Sequence, residues 1–97
     1  MSECTRSFAG PDGLLISAML DHDDAQRPAL TIIGWYPDRT RIEVTYSWGD
    51  ATHHNGLPVE FWCETMLRVL TQEQATEIIQ SVLTVEPACI TMRRHRP

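Results

Sequence analysis

Residues 29–48 read ALTIIGWYPDRTRIEVTYSW. The second half alternates strictly: Ile42, Val44, Tyr46 and Trp48 fall on one side, Arg41, Glu43, Thr45 and Ser47 on the other. A period of two is the mark of a half-buried strand. The first half is apolar on both sides, with Leu30, Ile32 and Tyr36 pointing one way and Ile33 and Trp35 the other. Such a run suits a strand in the middle of a sheet, covered above and below. Between the two lies Pro37-Asp38-Arg39-Thr40. Proline presets φ for the first corner of a turn, and an aspartate side chain can bond back to the backbone. The stretch is therefore an antiparallel hairpin, and the fold is built around a sheet.

Working outward, 14–20 predicts a strand preceded by the turn signal Gly10-Pro11-Asp12-Gly13, with 1–13 a polar N-terminal segment. Residues 21–28 are a polar loop, and 49–58 a second loop that holds His53-His54 and Asn55-Gly56. Residues 59–70 alternate again: Val59, Phe61, Cys63, Leu67 and Val69 against Glu60, Trp62, Glu64, Met66, Arg68 and Leu70. A helix is the rival there, but the period of two predicts a fourth strand. Thr71 with Gln74 three residues on is a capping box. The helix it opens runs over 72–83 or 84, with Ala75, Ile78, Ile79, Val82 and Leu83 as its apolar stripe, and Glu86-Pro87 closes it. Residues 88–92 predict a short last strand. The expected order is β-β-β-β-α-β: a single α+β domain over 1–97, mainly an antiparallel sheet, with one amphipathic helix on one face.

The chain has 97 residues, 13 acidic against 8 basic side chains, and a net charge of −5. Three of the arginines, Arg93, Arg94 and Arg96, fall at 93–97, a basic tail expected to fray. Residues 1–92 then hold 5 Arg against 13 acids, a net of −8. That balance argues against a nucleic-acid footprint, which needs clustered cations. A nucleic-acid mimic is a lesser reading, because only Asp21, Asp23 and Asp24 cluster. No stretch reaches the roughly 20 apolar residues of a membrane span. No basic leader or cleavage site is evident, and Cys4, Cys63 and Cys89 are odd in number and without a CxxC spacing. Reduced thiols in a cytoplasmic protein are the expectation.

Few residues suggest chemistry. Cys63 with His53 or His54 is the one nucleophile–base pair worth naming, and its apolar neighbours predict an inert core thiol. Glu60 and Glu64 read as surface charge beside Arg68. Gly10 and Gly13 precede a strand, so they form no phosphate loop, and no cofactor is expected. His22 beside the aspartates, and His53-His54 near Asp50, are weak metal candidates that lack any recognised ligand spacing.

One predicted helix covers part of one sheet face, yet the first two strands are apolar on both. The surplus needs a cover: the sheet curls into a partial barrel, the N-terminal segment folds over it, or, the reading taken here, a partner protein or a second copy of the chain packs on the open face. The expected role is a small non-catalytic interaction module, such as a bacterial or phage accessory, inhibitor or immunity-type protein. Trp62 would anchor the partner, flanked by Glu60, Glu64, Met66 and Arg68 on the solvent side of the fourth strand. The plainer reading packs Trp62 on Tyr46 or over the Arg68 stem. Trp35 and Trp48 are assigned to the core. The alternative role is binding of a small ligand or metal through His22, His53 and His54.

Overall fold

The predicted hairpin is present in the computed structural model, which describes residues 5–22, 26–48, 51–81 and the backbone of 90–95. Strands β3 (Pro28–Trp35) and β4 (Arg41–Tyr46) pair antiparallel, with Ile32 opposite Val44 and Trp35 opposite Arg41. The turn between them is tied by its own residues. Arg39 N–H donates to the Tyr36 carbonyl at 3.0 Å, and Thr40 N–H donates to Asp38 Oδ1 at 2.9 Å. Strand β2 (Leu15–His22) flanks β3 on its other side, with Leu15 opposite Trp35 and Ile16 opposite Gly34.

Two further strands widen the sheet. The N-terminal segment, read as merely polar, contains β1 (Thr5–Ala9), paired antiparallel with β2. The Gly10–Gly13 signal is the turn that joins them, with Gly10 N–H donating to the Leu14 carbonyl at 2.7 Å. At the opposite edge the last strand runs Ile90–His95 and pairs antiparallel with β4, from Tyr46 opposite Ile90 to Arg41 opposite His95. Residues 93–95, expected to fray with the tail, are thus held in a ladder. Residues 88–89 of the predicted last strand, and 96–97 of the tail, lie outside the described residues. Two short strands, β5 (His53–His54) and β6 (Leu57–Pro58), form a separate hairpin inside the second loop. Its corner is Asn55-Gly56, both at positive φ (51° and 79°), as a tight hairpin turn requires. The last strand is accordingly β7, and the main sheet is five-stranded in the order β1-β2-β3-β4-β7.

The predicted fourth strand is a helix, α1 (Val59–Val69). Its buried residues are Val59, Cys63 and Leu67, spaced by four, while Phe61 and Val69 are 59% and 55% exposed. A strand would have put all five on one side. Pro58 precedes the first turn, Glu60 lies in that turn and Arg68 in the last, so charge complements the helix dipole. The second helix, α2 (Gln72–Ser81), begins at the predicted capping box. Gln74 N–H donates to Thr71 Oγ1 at 3.1 Å, and Thr71 N–H donates to Gln74 Oε1 at 3.0 Å. The rest of the predicted helix, 82–84, lies outside the described residues.

The fold is therefore α+β as expected, with two helices rather than one on the sheet. Both lie on the same face. There Ile16, Ala18, Leu30, Ile32, Ile42 and Val44 meet Cys63, Leu67, Leu70, Ala75 and Ile79. Gly34 lets α2 approach closely: a Cβ at that position would stand 2.8 Å from Ile79 Cγ2.

Candidate partner-binding face

The register fixes what the other face of the sheet presents. Side chains that point away from the helices form cross-strand rows. One row is Ala9, Leu15, Trp35 and Arg41; the next is Ser7, Ser17, Ile33 and Glu43; a third is Thr5, Met19, Thr31 and Thr45. The third row is the better covered. Thr31 is buried, and its hydroxyl lies 3.3 Å from that of Thr45. The first row is not: Leu15 is 59% and Trp35 39% exposed, side by side on paired strands. Beside them Arg41 Nη2 donates to Glu43 Oε1 at 3.0 Å, and Arg41 Nε is buried with no acceptor among the described residues. The face thus offers an exposed aromatic–aliphatic pair bordered by an ion pair. Large apolar side chains adjoining one another in the open are a feature of interaction surfaces.

Trp35 is assigned to the core by the sequence and is instead partly exposed on this face, at the end of β3. Its direction was legible, since it falls opposite Leu30 and Ile32 in the alternation. The missing signal was that both helices would choose the same side.

The residues first assigned to partner binding lie elsewhere. Trp62, Glu60, Glu64, Met66 and Arg68 are all on α1, across the sheet from Leu15 and Trp35. Glu60, Glu64 and Arg68 are exposed along one stripe of the helix, whereas Met66 is partly buried against the core. Trp62 is not an exposed anchor. Its ring lies 6.2 Å from Tyr46, 4.9 Å from Trp48 and 5.1 Å from His54, centroid to centroid. Packing on Tyr46, the plainer reading, is what the structure contains, though from a helix. Trp48 is half-buried in the same cluster, 5.4 Å from His54.

The three histidines do not assemble. His54 is held between Trp48 and Trp62. His53 is exposed, its Nδ1 2.9 Å from Thr52 Oγ1. His22 lines a groove of about 470 Å³ at the β2–β3 end, with Asp21, Glu60, Cys63 and Glu64. Among the described residues no three His, Cys, Asp or Glu side chains come together as a metal would require. Asp23, Asp24 and Asp50 lie outside the described residues. The Cys63 thiol is pushed up from 9.0 to about 11, first by burial and then by the Glu64 carboxylate, so it stays protonated at neutral pH. Among the described residues no helix is long and apolar enough to cross a membrane. Comparison of the chain with protein-family models, with curated proteins and with solved structures gives no match.

Proposed function

We propose that the chain is a small non-catalytic interaction module of the accessory, inhibitor or immunity type, working in the cytoplasm, and that it binds protein through the helix-free face of its sheet. One observation carries this reading: Leu15 and Trp35 stand exposed side by side on a face that neither helix covers. A buried aromatic flanked by charge is the usual energetic centre of an interface. The anchoring role therefore passes from Trp62, which already has its aromatic partners, to Trp35. The Cys63 thiol supports a non-catalytic role in a small way, since burial and Glu64 keep it from becoming a thiolate nucleophile. Net acidity favours a protein partner over a nucleic acid.

The test is native mass spectrometry of the chain recovered from its own cells, beside a Leu15→Arg variant. The wild type is expected to carry bound protein, and the variant to be recovered bare with an unchanged circular dichroism spectrum. A variant that retains the same complexes refutes the face.

A further inference from the structure

We propose that Asn55 is a modification site: its side chain cyclises onto the backbone nitrogen of Gly56, loses ammonia, and reopens with water to a β-linked aspartate that unlocks the β5–β6 hairpin. This goes beyond the binding reading above and does not depend on it.

The chemistry asks three things of an asparagine: water around it, an unhindered nitrogen after it, and a main chain loose enough to bring the two together. Asn55 is the only asparagine in the chain, and it has all three. Asn55 and Gly56 are both exposed at the corner of the hairpin. Gly56 has no side chain to crowd its nitrogen, and a Cβ placed there would meet nothing within 4 Å. The closing bonds of a two-residue hairpin run between the flanking residues, here His54 and Leu57, so the Gly56 N–H lies outside the ladder. The strands on either side have two residues each, so little holds the corner in one conformation.

Asp12-Gly13 is the contrast. It too stands at positive φ (57° and 81°), and an aspartate can close the same ring. There the glycine is walled in, since a Cβ would stand 2.7 Å from Pro37 Cγ. Its turn is also tied, with Gly10 N–H donating to the Leu14 carbonyl and Leu14 N–H to the Pro11 carbonyl at 3.1 Å. The geometry therefore singles out position 55.

The step balances with water alone. Hydroxide takes the Gly56 N–H proton, and the nitrogen attacks Asn55 Cγ. A C–N bond forms there, the bond from Cγ to the side-chain nitrogen breaks, and ammonia leaves. One water then opens the five-membered imide. Breaking the newly formed bond gives an ordinary aspartate. Breaking the bond to the Asn55 backbone carbonyl leaves Gly56 joined through Cγ, with Cβ now part of the main chain. Both products gain one negative charge. A two-residue turn has no room for the extra main-chain atom, because loop length sets the register of a hairpin. The first pair it disturbs is His54 with Leu57. The His54 ring packs 5.4 Å from Trp48 and 5.1 Å from Trp62, so the conversion frees it from both indoles.

The test incubates the full chain in mildly alkaline buffer at body temperature for several days, beside Asn55→Gln and Gly56→Ala. Mass spectrometry of the wild type is expected to show a gain of one dalton in the peptide that holds position 55. A carboxyl methyltransferase specific for β-linked aspartate is expected to label that peptide and not the one that holds Asp12. Asn55→Gln, whose longer side chain would have to close a larger ring, is expected to keep its mass. Gly56→Ala, whose methyl group crowds the attacking nitrogen, is expected to convert several-fold more slowly. The converted wild type, separated by its added charge, is expected to differ in tryptophan emission, because two of the three tryptophans lose a ring partner. A wild type that holds its mass, a Gly56→Ala chain that converts as fast, or a product the methyltransferase does not label overturns the proposal. A labelled product with unchanged tryptophan emission overturns the release of His54.

Discussion

Arg6 Nη1 sits at the C-terminal end of α1, within 2.8 Å of the Leu67 and Leu70 carbonyls and 3.0 Å of that of Arg68. Its N–H groups serve backbone oxygens that the helix itself leaves unpaired, at the end where the dipole favours a cation. The guanidinium also lies 4.9 Å from the centre of the Phe8 ring. One side chain thereby ties the edge strand β1 to the helix. Arg6→Met keeps an apolar stem and removes the donors, so a loss of about 1.5–3 kcal/mol is expected in urea denaturation. A loss below about 0.5 kcal/mol would mean that water replaces the arginine without cost. None of this was legible in the sequence, because the partners of Arg6 are carbonyls 61 to 64 positions away, on a segment that reads as a strand. Cys63 was legible: its apolar neighbours predicted an inert thiol. Its pH behaviour follows from the raised value. The unfolded thiol ionises near 9 while the folded one holds its proton to about 11, so folding stability is intact below pH 9 and is lost as pH rises through that window. Thermal melts of the wild type are expected to fall more steeply from pH 9 to 11 than those of Cys63→Ala. Parallel slopes would show that other groups set the alkaline limit.

At the scale of elements, α1 shows why periodicity failed once and succeeded elsewhere. Val59, Cys63 and Leu67 are spaced by four, which is both an even number and nearly one helical turn. Positions spaced so satisfy a period of two and a period of 3.6 alike. Other offsets discriminate: Trp62 and Met66, three and seven residues after Val59, pack on the core, while Phe61 and Val69, two and ten after it, do not. For β4 the alternation admits no helical rival, since Ile42, Val44 and Tyr46 would spread around a helix. The capping box at Thr71 was legible because its partners lie three residues apart. Strand β1 was missed because an edge strand with Thr5, Ser7 and Ala9 outward carries little apolar signal. Helix docking leaves its own trace at Gly34. In Gly34→Ala the new Cβ would stand 2.8 Å from Ile79 Cγ2, so α2 must shift or Ile79 must leave its rotamer. A cost of about 1–3 kcal/mol is expected. In an Ile79→Ala background the same change should cost less than half as much, because the obstructing atoms are gone. Equal costs in both backgrounds, measured as a double-mutant cycle, would show that backbone conformation and not helix approach requires the glycine.

For the molecule as a whole, the two helices and the sheet form two layers, and among the described residues no third layer covers Leu15 and Trp35. Half of this was readable from the sequence. Ile33 and Trp35 declare an apolar second face by alternation alone, but which side a helix packs on is settled by tertiary contacts that no local pattern records. The consequence is thermodynamic. A domain of this size is stable by only about 5–10 kcal/mol, so covering one more apolar face changes its stability measurably. Anything that binds the folded chain and not the unfolded one raises the apparent stability by mass action, and for a self-associating chain the ligand is the protein itself. A second copy on the open face would therefore make the melting temperature of the wild type rise with protein concentration. Leu15→Thr combined with Trp35→Thr puts β-branched residues, which suit strands, at both positions while removing the apolar pair. That variant should melt at one temperature at every concentration. Leu30→Ala, in the core, should instead lose about 2–5 kcal/mol and keep the concentration dependence. Calorimetry of the three chains over a wide concentration range separates the two layers. A wild type whose melting does not move with concentration would mean that the open face adds nothing to the stability of the chain on its own, and that its apolar pair is kept for a different protein.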